Sequence, residues 1–345
     1  TVHAAVWLVQ VGRVPLLLLD TDVPENDESD RPISHILYVR GREMRLHQEL
    51  ILGVGGVRAL RKLGVTPSVW HLNEGHSAFM LAEQARELVA EGATFDEAFE
   101  RVRQKAVFTI HTPVPAGNER FSADLVRELT APEATAAGMD QERILAMGLG
   151  VDSDTGQFDM TAFALRNTIL ANGVSQLHGQ VANDTWTAIT DHPIYGITNG
   201  VHAPSWVGRH VRAVLSELGG DLDHMETGTE EDRFWERLNQ VQDEELWEAH
   251  LQQKDALRKF ATIRLRRQLA RHGESPEVLA ELDDILDPNV LTIGFARRMA
   301  TYKRAALLFS EIERITRLIT DPQRPVQFVF AGKAHPADRP GQGVI

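Results

Sequence analysis

The chain holds 345 residues, enough for two domains or one large one with a sizeable core. Hydrophobic residues make up 43% and charged residues 25%, an ordinary globular mix that excludes collagen-like, low-complexity and disordered classes. The absence of cysteine excludes disulfides and thiolate metal or redox sites and fits a cytoplasmic protein, and the net charge of −13 disfavours nucleic acid and anionic membranes as partners.

Apolar runs at 2–11 and 14–20 flank Gly12 and Arg13, the pattern of a strand pair, and neither is long enough to span a bilayer. Thr1 already lies in a strand-like run and the sequence closes just after another, so both ends read as cuts in a longer chain. The acidic loop at 20–32 is broken by Pro24 and Pro32 and lacks calcium-loop spacing, so no metal is expected there. Helical spacing over 46–62 is interrupted by the stretch LGVGG, which suits close helix packing or a phosphate cradle. An extended piece at 68–72 leads to a helix at 76–91, stopped by Gly92. Thr94 and Glu97 have capping-box spacing ahead of Phe95, Ala98, Phe99 and Val102, and a strand follows at 107–110.

From Asp159 an amphipathic pattern predicts a helix that stops at Asn172 and Gly173. A short strand at 194–198 opens onto Asn199 and Gly200. Strand and helix alternate in the manner of an α/β fold, whose ligands sit at the carboxyl ends of strands. The long helix predicted at 243–272 carries Lys254, Arg258, Lys259, Arg264, Arg266, Arg267 and Arg271, with Phe260 alone interleaved, which favours a solvated or interdomain helix over a nucleic-acid surface. Residues 283–289 look like a boundary. Beyond it, a strand at 290–295, a helix at 302–319 and a strand at 326–330 form a βαβ unit. Two parallel strands cannot bury both faces, so the rest of that sheet is expected in a longer chain.

Four clusters follow predicted strands. Asn73, Glu74 and His76 lie in HLNEGHSAF, where helix-start hydrogen bonding and polar substrate contact are both open and metal-ligand spacing is lacking. His111 ends a strand in FTIHTPVPAGN, with prolines fixing the loop, which favours a functional histidine over a buried structural one. Asn199, His202 and Trp206 lie in ITNGVHAPSW, a weak signal by itself. Arg297, Arg298, Lys303 and Arg304 lie in GFARRMATYKRA, between a strand and the first turn of the predicted helix. Cations there oppose the helix dipole and one another unless an anion is present, so this is the local basic pocket that an anionic ligand on so acidic a chain requires. It has neither a Walker signature nor GxGxxG.

HLNEGHSAF, FTIHTPVPAGNERF, LANGVSQLHG, ITNGVHAPSW and IGFARRMATYKRA, in this order, resemble the α-glucan (glycogen/maltodextrin) phosphorylases, and within them the shorter bacterial and archaeal branch. The resemblance covers essentially the whole chain, from VGRVPLLLLDTDVPEN to FVFAGKAHP. It implies a GT-B type glycosyltransferase fold, with residues 1–285 as most of the N-terminal Rossmann-like domain and 286–345 as the first βαβ of the C-terminal one. The implied reaction is phosphorolysis of the terminal α-1,4-linked glucose to α-glucose 1-phosphate with retention. Its substrates are an α-1,4-glucan and inorganic phosphate, and its cofactor is pyridoxal 5′-phosphate. The full-length protein could be a homo-oligomer.

Carried over by motif, Arg298 and Lys303 match the ligands of the substrate phosphate, and Arg297 and Lys303 lie near the cofactor phosphate. His111 matches the histidine whose loop contacts the glucosyl unit, Asn199 an asparagine that binds sugar hydroxyls, and Trp206 a tryptophan beside the cofactor. Glu74 and His76 match an acidic-x-His pair bordering the sugar, while Asn172 and His178 fall in a sugar-site segment. Met299, Ala300 and Thr301 stand where animal-type enzymes have a His-Glu stretch, and ANDTW at 182–186 departs from the usual run. No EASGTSGMK-like element occurs, so the cofactor lysine is absent and this chain alone is expected not to turn over. A nucleotide-sugar glycosyltransferase of the same fold and a non-catalytic glucan-binding fragment are the competing readings.

Overall fold

The computed structural model describes residues 1–36, 41–112, 118–151, 156–219, 229–334 and 338–345. These fall into two compact units, Thr1–Gly200 and Val201–Ile345.

The first unit opens with the expected hairpin. Strands β1 (Ala5–Val11) and β2 (Val14–Asp20) pair antiparallel with Val11 opposite Val14, and Gly12 takes a φ of 57° in the turn. A helix at Arg42–Leu50 runs through a π-helical turn, Ile51–Gly55, into a second helix at Gly56–Lys62. A Cβ on Gly53 would come 2.9 Å from the Met80 nitrogen, so this glycine stretch serves helix packing.

The centre is a parallel sheet. Four of its elements are β3 (Trp70–Asn73), β4 (Ala106–Ile110), β7 (Leu170–Gly173) and β8 (Ile194–Gly196), in that spatial order. Between β4 and β7 in sequence, β5 (Arg120–Ser122) and β6 (Gln157–Asp159) form a separate antiparallel pair. The helices Phe79–Ala90 and Phe95–Arg103 join β3 to β4, and Gln176–Trp186 joins β7 to β8, the crossovers that a parallel sheet needs. The Thr94 hydroxyl accepts from the Glu97 N–H while the Glu97 carboxylate accepts from the Thr94 N–H, so the capping box forms as its spacing predicts. One continuous core runs beneath, with Leu72, Phe79, Phe108, Ile110, Phe158 and Phe163 all fully buried. Phe79 stacks on Phe158 at 5.7 Å between centroids, and Phe163 meets Phe158 at 5.3 Å.

The helix predicted to end at Asn172 and Gly173 is shorter than expected. It covers Met160–Arg166, capped by Asp159, and Asn172 and Gly173 belong to β7. The Asn167 amide and the Thr168 hydroxyl donate to the Phe163 and Ala164 carbonyls, satisfying the last turn and releasing the chain into a strand. Because that strand is central and partly buried, its apolar residues prolong the helical pattern in the sequence.

The second unit carries a long helix at Asp243–Arg271 and a small core of Leu215 and Phe234. Part of the helix's basic face is paired within the unit: Lys254 donates to the Val290 carbonyl, Asp255 holds Arg258 and Lys259, and Arg266 meets Asp283. Strands β9 (Leu291–Ala296) and β10 (Val326–Ala331) pair in parallel as the βαβ reading requires. Between them, however, the predicted helix at 302–319 breaks up. Two 3-10 turns, Thr301–Lys303 and Ala305–Phe309, flank Arg304, whose φ of 53° is left-handed, and only Ile312–Ile319 is α-helical. Residues three apart share a face in both helix types, so apolar spacing alone does not separate them. Among the described residues, no helix is long and apolar enough to cross a membrane.

Candidate active site

The polar residues of the first unit gather where β3, β4 and β7 end. Asn73, Thr109 and Asn172 stand opposite one another across the three strands, at one level of the parallel ladder. The Thr109 hydroxyl donates to Asn172 Oδ1 at 2.8 Å, so it accepts the His71 Nε2 proton at 2.7 Å. Asn172 Nδ2 in turn donates to the Gly173 carbonyl.

One step beyond the strands, Glu74 takes φ 68° and ψ 173°, a region rarely open to a side-chain-bearing residue. Its Oε1 accepts from the His111 backbone N–H at 2.6 Å and from the Thr112 hydroxyl at 2.9 Å, tying the end of β3 to the end of β4. The His111 ring is hydrogen-bonded through Nε2 to Asn73 Oδ1. Asn73, Glu74, His111 and Asn172 are therefore brought together as one uncharged-donor and carboxylate surface, suited to hydroxyl groups. Asn199 follows β8, its backbone N–H donating to the Val174 carbonyl. His178 lies buried on the helix after β7, with Nδ1 accepting from the Val174 N–H and, among the described residues, no hydrogen-bond partner at Nε2.

His76 sits in a 3-10 turn, Gly75–Ser77, beside a buried charged cluster that the sequence reading missed. Arg45, 6% exposed, and Glu49, 1% exposed, form an i,i+4 pair at 3.2 Å on the inner face of the Arg42–Leu50 helix. Arg45 also lies 3.4 Å from Glu119, and its Nη2 is 2.9 Å from His76 Nδ1. Burial pushes the Glu49 carboxyl up, with the Arg45 charge pulling the other way. The signal was present: two charged residues at core positions of an amphipathic helix seldom occur unpaired.

In the second unit, Arg297 and Arg298 follow β9 on the surface, Lys303 is half-buried with its ammonium 5.5 Å from the Tyr302 ring centroid, and Arg304 is exposed. Among the described residues, none of the four meets a carboxylate. The expected helix amino terminus is not there, since two 3-10 turns occupy its place, so side-chain charge alone makes this an anion-attracting surface. Trp206 ends a short helix, Ala203–Trp206, and is 82% exposed. Among the described residues, no group of three or more His, Asp or Glu side chains is placed to hold a metal ion.

A parallel α/β sheet with polar side chains at its carboxyl ends belongs to the class of folds whose ligands sit at those ends. Residues 22–345 match the carbohydrate phosphorylase family, and the chain belongs to it. It is 40% identical to a glycogen phosphorylase of Mycobacterium tuberculosis over 99% of this chain and 41% of that protein. It is 39% identical to a maltodextrin phosphorylase of Thermococcus litoralis, over 99% and 40% respectively. With a glycogen phosphorylase of Aquifex aeolicus the identity is 36%, over 100% of this chain and 50% of that protein. The chain thus spans two-fifths to half the length of these relatives.

Proposed function

We propose that the chain is part of an α-glucan phosphorylase, which cleaves the terminal α-1,4-linked glucose of glycogen or maltodextrin with inorganic phosphate, giving α-glucose 1-phosphate with retention. The observation that carries this is the Arg297, Arg298, Lys303 and Arg304 cluster, without a described carboxylate partner in a chain of net charge −13 that belongs to the carbohydrate phosphorylase family. Residues 1–285 would be most of one GT-B domain and 286–345 the start of the other, in a cytoplasmic protein.

Arg298 and Lys303 bind the substrate phosphate and hold its charge. Glu74, His76, Asn172 and Asn199 hold the glucosyl hydroxyls, and His111 presents its loop to the same sugar. The phosphate donates a proton toward the glycosidic oxygen as that bond breaks, and its oxygen then attacks the cationic sugar on the same face. The protein contributes position and electrostatics rather than a covalent step of its own. Pyridoxal 5′-phosphate would supply a second phosphate group beside the first. Arg297 and Lys303, cations without a described carboxylate partner, suit that group, and Trp206 offers an exposed indole to the ring. The lysine that would attach the cofactor has no counterpart in these residues.

The test is an assay of the full-length reading frame with maltodextrin and phosphate, against the same protein with nucleotide sugars. Phosphate-dependent glucose 1-phosphate is expected, lowered about 100-fold or more in kcat/KM by Arg298→Ala or Lys303→Ala. Consumption of a nucleotide sugar instead, or no phosphorolysis, would overturn the reading. The 345-residue chain by itself is expected to show no turnover.

A further inference from the structure

We infer that Arg45 is a positioning residue that fixes the His76 ring as an Nε2–H donor. A guanidinium carries five N–H donors and no acceptor. With Arg45 Nη2 at 2.9 Å from His76 Nδ1, that nitrogen must present its lone pair. The proton of the neutral ring then resides on Nε2. Among the described residues nothing bonds to Nε2, and the side chain is 40% exposed, so a donor faces outward.

The same nitrogen has a competitor. Glu49 Oε1 lies 3.6 Å from His76 Nδ1 and would favour a proton there. Arg45 contacts both, with its Nη2 nearer to Nδ1 than Glu49 is and its Nε at 3.2 Å from Glu49 and 3.4 Å from Glu119, and Gln48 accepts from Nη1 at 3.3 Å. Both carboxylates thus hold the guanidinium, and the guanidinium decides which ring nitrogen carries the proton. The turn itself is fixed independently: a Cβ on Gly75 would come 2.9 Å from Met160 Cβ, so the His76 backbone is clamped and only the ring needs orienting.

The consequence for chemistry is definite. His76 offers a hydrogen-bond donor to an oxygen, such as a sugar hydroxyl, and does not offer a base at its open nitrogen. That the oxygen belongs to a glucosyl unit rests on the function proposed above; the proton's location does not.

Long-range proton–nitrogen spectra of the histidine-labelled 345-residue chain, with the His76 signal assigned through His76→Gln, read the tautomer directly. The wild-type chain is expected to show Nε2–H. Arg45→Met leaves Glu49 alone at Nδ1 and is expected to move the proton to that atom, whereas Arg45→Lys keeps a donor there and keeps Nε2–H. Should Arg45→Met fail to fold, Arg45→Met with Glu49→Met replaces the buried pair by apolar groups of similar size and is expected to return the ring to its solution mixture of tautomers. A wild-type ring protonated on Nδ1, or a tautomer indifferent to Arg45→Met or to the double replacement, would overturn the inference. In the full-length enzyme Arg45→Met is expected to raise KM for maltodextrin about tenfold, with recovery in Arg45→Lys. A moved proton with unchanged KM upholds the role of Arg45 and removes the sugar from His76.

Discussion

Glu74 shows what a single residue does at this site. Its backbone lies in a region that costs on the order of 1–3 kcal/mol for any residue but glycine, and its carboxylate recovers part of that through two hydrogen bonds to the start of the loop after β4. The usual order of stability is therefore expected to invert here. Glu74→Ala keeps the strain and loses both bonds, while Glu74→Gly loses the bonds and releases the strain, so the glycine variant should be more stable than the alanine variant by about 1 kcal/mol or more in urea denaturation. An alanine variant equal to or better than glycine would contradict the strain. Asn73, Glu74 and His76 were legible in the sequence as a polar group after a strand. Their partners were not, because the contact of Glu74 with His111 depends on β4 lying parallel to β3 with Asn73 opposite Thr109. No local pattern encodes that register.

Among elements, the helices over the sheet are tied by charges as well as by core residues. Glu83, buried on the Phe79–Ala90 helix, accepts from Arg58 and from Arg86, and Arg58 reaches on to Glu133. Burial pushes the Glu83 carboxyl up, but the Arg86 and Arg58 hydrogen bonds outweigh it and hold the group below its ordinary value. A carboxyl held low stabilises the fold above its unfolded-state value, and that contribution is lost as pH falls through the folded one. Glu83→Gln should therefore be about 2 kcal/mol less stable than wild type near neutrality. The gap should close as pH drops below the ordinary glutamate value of about 4.3. Denaturant titrations at several pH values check this, and a gap independent of pH would refute it. Element types were read well where capping or turn chemistry was local, as at Thr94 and Gly12. They were misread where two structures share a spacing: the segment at 159–173 divides into a helix and β7, and that at 302–319 into 3-10 turns and a short helix.

Taken as a whole, the molecule stores its order unevenly. In the first unit β4 is hydrogen-bonded on both sides, by β3 and β7, and Ala106, Phe108 and Ile110 are fully buried. In the second, β9 pairs with β10, while Leu291, Ile293 and Phe330 remain exposed. Opening free energies follow buried apolar contact and the shielding of backbone hydrogen bonds, so the two sheets should not open together. Hydrogen exchange of the 345-residue chain is expected to show β4 amides exchanging only through global unfolding, with β9 and β10 amides faster by about 100-fold or more. Equal protection in both would mean that the exposed faces of β9 and β10 are covered in solution. The same contrast bears on function. The sugar-facing residues proposed at Asn73, Glu74, His111 and Asn172 stand on the well-buried sheet, whereas the cations proposed for phosphate follow the weakly covered one. Adding phosphate to the chain should therefore slow exchange at residues 297–304, because local opening there competes with the bound state.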